Sequence, residues 1–179
     1  MGKVMSGRHL AISLALLGGC LIHAPLVAAA TPPQPATAQA GGALVTGPDL
    51  HRQIEMMKAD LKPDTSLLWR PVITADGLTA ALEYWHKPRP PAAHITEAEY
   101  VMVVEGHGWM VSGGTFAHAQ ETHPGLLEGD EITGGVSRDL GPGDVFLIPA
   151  GMPHWFGIRG EGLVLLGTKI PASAPRPKP

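Results

Sequence analysis

Residues 143–154 read Gly-Asp-Val-Phe-Leu-Ile-Pro-Ala-Gly-Met-Pro-His, and they join a hydrophobic run, a tight turn and an imidazole. Val145 and Leu147 alternate with Phe146 and Ile148, the period of a β-strand. Because both sets are apolar, the strand is expected to have apolar surroundings on both faces. Pro149 and Gly151 suit the second and fourth positions of a β-turn, so the next strand leaves at a fixed angle. His154 opens that strand as an aimed side chain, and the segment reads as part of a site.

Working outward, short apolar runs broken by Gly, Pro and Asp follow one another: 67–69, 78–85, 100–104, 109–112, 145–148, 155–158 and 163–170. Many short strands with turns between them imply an all-β sandwich or barrel. Before them, Pro48 and Asp49 suit a first helical turn, and Leu50, Ile54, Met57 and Leu61 recur at helical spacing until Pro63. Residues 48–65 therefore predict one amphipathic helix packed on a β-domain spanning 66–170. Residues 31–47, rich in Pro, Ala, Gln and Gly, read as a flexible linker, and 171–179 as a disordered tail. Residues 113–139 are longer than a hairpin needs. They are read either as a lid over the barrel mouth or as a solvated insertion.

The chain has 179 residues and is 44% hydrophobic, enough for one domain with a real core. Lys3 and Arg8 precede an apolar stretch from Leu10 to Ile22, and Ala28, Ala29 and Ala30 come before a proline-rich segment. This pattern predicts a signal peptide over 1–30, cleaved after Ala30, with export to the periplasm or the medium and no membrane span after processing. Leu17-Gly18-Gly19-Cys20 offers a second reading, a lipoprotein anchored at Cys20. Cys20 is the single cysteine, so cleavage after Ala30 leaves no thiol, and any metal must then be held by nitrogen and oxygen. With Lys3 and Arg8 removed, 13 basic residues fall to 11 against 16 acidic ones, a formal charge of −5. No basic patch with interleaved aromatics is present, which argues against a nucleic-acid partner. A serine nucleophile elbow, a phosphate-binding Gly-rich loop and paired Cys motifs are also missing.

Alternation after Glu99 places Glu99, Val101 and Val103 on one strand face and Tyr100, Met102 and Val104 on the other. A carboxylate among inward valines is costly unless a cation or hydrogen-bond donors compensate it. Phe156 and Ile158 share the side of His154. Val101, Val103, Phe156 and Ile158 are therefore expected to line a pocket. Glu97 reads as solvated, His51 and His107 as exposed, and His118 and His123 as lying in the long insertion. Tyr84, Trp85, Trp109 and Trp155 read as core.

Gly143, Pro149, Gly151 and His154 together resemble the second motif of the cupin superfamily. His94, Glu99 and Gly106 resemble the second half of its first motif. Ala92 stands at the position of that motif's first histidine, and Ile158 at that of the second motif's asparagine; His86 matches no replacement pattern. The resemblance covers about Ser66 to Ile170 and implies a jelly-roll barrel in which His94, Glu99 and His154 converge on one divalent transition metal: Fe, Mn, Zn, Cu or Ni. It further implies a small-molecule ligand, oxygenase- or isomerase-like activity and a homodimer. The losses at Ala92 and Ile158 leave a second reading open, a non-catalytic, metal-free cupin that binds a small ligand.

Overall fold

Alternating apolar residues punctuated by glycine fold as strands over most of the chain. The computed structural model describes Thr31 and residues 33–37 and 42–172; the expected signal peptide, Cys20 and residues 173–179 lie outside these. In order, the described residues form β1 (Ala36–Thr37), α1 (Gly47–Ala59), β2 (Leu67–Ala75), β3 (Leu78–Trp85), β4 (Ala92–His94), β5 (Glu97–Ser112), β6 (Thr115–Ala117), β7 (Gln120–His123), β8 (Leu126–Glu128), β9 (Glu131–Thr133), β10 (Val136–Leu140), β11 (Val145–Ile148) and β12 (His154–Pro171). This is the all-β jelly-roll architecture expected, with one short helix. Among the described residues no helix is long and apolar enough to cross a membrane.

The spine is an antiparallel ribbon of β5 and β12, paired from His154 opposite Ser112 to Pro171 opposite Glu97. Each of these strands fuses two of the short runs read in the sequence. Gly106-His107-Gly108 continues the strand where a turn is expected, and His107 is nonetheless exposed. Three extra residues, Gly160 to Gly162, bulge from β12 opposite Gly106 and bend the ribbon. The close approach explains the glycines: a Cβ on Gly106 would lie 2.1 Å from the Gly162 carbonyl oxygen, and one on Gly108 would lie 2.3 Å from that of Gly157. β12 also pairs β3, whose far edge pairs β2. β4, β8 and β7 extend the sheet beyond His154, and β10 and β11 flank β5. The hydrogen-bonded ladder curls around the core without closing on itself.

Two apolar clusters sit on opposite faces of the β3–β12 pair. The inner one gathers Val101, Val103, Met110, Leu140, Ile148, Phe156, Leu163 and Leu165. The outer one places Ile54 and Met57 of α1 on Val72, Leu82, Tyr84 and Val164. Burying each large side chain of α1 contributes about 1.5–3 kcal/mol. The Thr46 side chain caps the helix by accepting from the Asp49 amide, and the helix stops at Ala59, short of the expected residue 65.

Other expectations shift. Ala36 and Thr37, read as linker, pair in parallel with β2. Val145 and Leu147 are 53% and 59% exposed, so β11 buries only its Phe146 and Ile148 side. β11 pairs with β5, and its Val145 and Leu147 face is turned outward from the inner core. Met152 donates to the Pro149 carbonyl and Gly151 has φ +75°, so Pro149 and Gly151 occupy the first and third turn positions. Residues 113–139 fold as strands β6 to β10, with β7 exposed and Leu126 and Glu128 of β8 walling a cavity.

Gly106→Ala combines a steric clash with a φ of +80° and should cost about 3 kcal/mol or more. Gly143→Ala, at φ +90° in open space, should cost about 1 kcal/mol. Denaturant midpoints of the two variants check the order; equal losses would contradict the close approach at the bulge.

Candidate metal centre

Strand alternation brings Glu99, Val101 and Val103 inward at 5%, 1% and 1% exposure, while Tyr100 stays 44% exposed. His94 ends β4, and His154 opens β12 opposite Ala92. The Gly151 amide donates to the His94 carbonyl at 2.8 Å, so the turn before His154 is tied to the strand that carries His94. These constraints bring the three residues together: one ligand atom from each lies within 4.8 Å of the others. His154 Nε2 is 3.3 Å and His94 Nε2 4.0 Å from Glu99 Oε2. Donors bound at about 2.0–2.2 Å to one ion are separated by about 3–4.4 Å, a range that includes both distances.

The protons point the same way. His154 Nδ1 lies 3.0 Å from the Met152 carbonyl oxygen, which only accepts, so Nδ1 carries the hydrogen and a neutral ring offers its Nε2 lone pair to Glu99. Glu99 Oε1 accepts from Lys169 Nζ at 3.0 Å, whereas buried Oε2 has no hydrogen-bond partner. Two acceptor atoms facing each other need a positive charge between them, either a proton on Nε2 or a metal ion. Burial raises the Glu99 pKa, but the nearness of His154 and the Lys169 ammonium outweigh it and hold the carboxyl down at about 2. Burial and the charge of Lys169 lower His94 to about 4, so its imidazole is neutral at ordinary pH. One carboxylate and two imidazoles are a donor set suited to a divalent transition metal, and these residues fit one.

The three residues line a cavity of about 140 Å³ with Trp85, Ala92 and Phe156 among its walls. Of the four expected pocket residues, Phe156 lines it. Val101 and Val103 sit in the inner core and Ile158 packs against it, because the inward side of a strand continues past the cavity into the packed interior. Ala92 presents a methyl group at the wall where the related motif has histidine. His86 stands apart, its Nδ1 3.1 Å from the Glu161 carbonyl oxygen. His123 is exposed, and His118 is exposed and paired with Asp130 at 2.9 Å. His51 lies near Glu55 and Glu105, whose carboxylates are occupied by Lys58 at 2.8 and 2.5 Å.

Two residues of the site escape the sequence reading. Lys169 lies directly opposite Glu99 in the β5–β12 register. Glu83 lines the cavity and accepts from Trp85 Nε1 at 3.0 Å. Burial, then the negative charge of Glu99, pushes the Glu83 carboxyl up. Alternation carries the missed signal: Leu163, Leu165, Gly167 and Lys169 share one side of β12, and Glu83 and Trp85 share one side of β3.

Both His94 and Glu99 bind protons less readily folded than unfolded, so stability rises with pH. For His94 the loss begins as pH falls below 6.5 and is complete near 4, amounting to up to about 3 kcal/mol. For Glu99 it follows from 4.5 down to about 2. Melting curves of metal-free wild type and His94→Gln should therefore diverge between pH 6.5 and 4.5, with the variant flatter. Parallel curves would contradict a buried neutral His94.

The cupin family model matches residues 88–174, the span that holds His94, Glu99 and His154. No curated protein matches the chain. Similar solved structures include BH2720 from Bacillus halodurans, at 20% identity over 74% of this chain and 83% of that one, with a TM-score of 0.47. A putative mannose-6-phosphate isomerase from Ralstonia eutropha is 23% identical over 62% and 88%, with a TM-score of 0.44. KdgF from Halomonas sp. is 17% identical over 63% and 87%, with a TM-score of 0.43. Likenesses of this degree say nothing about the chemistry of this chain. Residues 88–174, which hold the inner core and the three candidate ligands, match the cupin family.

Proposed function

We propose that this chain is an exported, metal-dependent cupin that holds one divalent transition metal at His94, Glu99 and His154 and acts on a small organic molecule as an oxygenase or isomerase. The observation that carries the reading is the buried Glu99 Oε2, without a hydrogen-bond partner and 3.3 Å from an imidazole nitrogen. When bound, the metal supplies Lewis acidity and, if redox-active, the capacity to activate oxygen. Three protein donors leave positions open for a ligand. The Met152 carbonyl fixes the orientation of His154, and Lys169 fixes that of Glu99. Trp85 and Phe156, with ring centroids 5.4 Å apart, form the apolar side of the cavity. The N-terminal pattern supports export after cleavage at Ala30.

A second reading, the metal-free ligand-binding cupin, draws on the Lys169 ammonium, which already satisfies one oxygen of Glu99. Metal analysis of protein from metal-supplemented cells separates the two. The metal-dependent reading expects about one ion per chain, falling at least about tenfold in His154→Ala and Glu99→Gln. Substoichiometric metal that neither substitution changes would reject it in favour of the metal-free one.

A further inference from the structure

After the bulge, the inward residues of β12 are Leu163, Leu165, Gly167 and Lys169. The two leucines are 0% and 1% exposed and belong to the inner core, so the next inward side chain with reach is that of Lys169. It lines the cavity with Glu83 and Glu99, and the same three residues line an adjoining concavity of about 220 Å³. The ammonium therefore stands where the two spaces meet. An ammonium has three N–H donors. Among the described residues, Lys169 Nζ makes one hydrogen bond, to Glu99 Oε1 at 3.0 Å, which leaves two donors for a guest. A lysine head directed into a cavity gives up part of its hydration, and an anionic guest restores the lost interactions.

Charge favours the same kind of guest. Glu83, Glu99 and Glu128 line the cavity with Lys169 and Arg89, a formal excess of one negative charge. A divalent ion on His94, Glu99 and His154 reverses this to an excess of one positive charge. A carboxylate carries one charge to neutralise it and has two oxygens, so it engages an ammonium and still offers an acceptor to a neighbouring cation. A phosphate monoester brings about −1.5 to −2 charges, more than the site has in excess.

We propose that Lys169 anchors the ligand, and that the cavity takes a small organic molecule bearing a carboxylate, held by the Lys169 ammonium beside the metal centre. The inference rests on the reading of this cavity as a metal-bearing ligand site, and its test keeps the two apart. Propanoate and its neutral analogue propanamide are titrated into the purified protein, zinc-loaded and with chelator present, by ligand-observed NMR, with bound zinc counted in each sample. Wild type should prefer propanoate. Lys169→Met, compared with wild type at equal bound zinc, should raise the propanoate Kd at least about tenfold, the loss of one charge-assisted hydrogen bond. Lys169→Arg should restore most of the affinity. Should Lys169→Met fail to fold, Lys169→Gln, which keeps a donor for Glu99 without the charge, gives the same readout. Propanoate binding that is absent, no better than that of propanamide, or unchanged by loss of the lysine charge overturns the anchor, whatever the zinc count. Lys169-dependent binding in a protein that takes up no zinc upholds the anchor and rejects the metal reading.

Discussion

A buried carboxylate must be answered by positive charge, and Glu99 sets that demand at the centre of this molecule. At 5% exposure it lies among side chains that otherwise form an apolar core. One oxygen is met by Lys169 and the other faces His154, with His94 close behind. Left uncompensated, such a charge costs several kcal/mol. Every element near the site bears on the compensation: the ribbon register sets Lys169 opposite Glu99, the turn after Pro149 delivers His154, and the Gly151 amide ties that turn to His94.

The β3–β12 pair serves two cores. Alternate residues of β3 and β12 face inward to the cavity or outward to α1, so Leu163 and Leu165 pack inside while Val164, Leu82 and Tyr84 pack under the helix. The cavity wall is therefore braced from behind. Rigidity of this kind holds donor atoms at fixed separations in advance of any ligand. The bulge at Gly160–Gly162 redirects β12 so that its second half returns an inward lysine to the neighbourhood of the first half's histidine.

Much of this was legible in residue order. The period-two runs foretold the strands, two of them, β3 and β11, to the residue. Glu99 and His154 stood out because a charge and an imidazole sat at inward positions of strands that were otherwise apolar. Other features depend on tertiary pairing. Gly106-His107-Gly108 resembles a turn locally and becomes strand because Gly157 and Gly162 approach its backbone. Val145 and Leu147 look like core and are exposed because, among the described residues, nothing packs over the outward face of β11. Lys169 passed unnoticed because a lysine near the end of a strand is usually solvated; its register against Glu99 is what places it in the site.

X-ray absorption at the metal edge of the loaded protein tests the account most directly. It should show nitrogen and oxygen scatterers at about 2.0–2.2 Å, with the outer-shell signature of two imidazole rings, one of them lost in His154→Ala. A first shell of oxygen alone, without imidazole scattering, would contradict it.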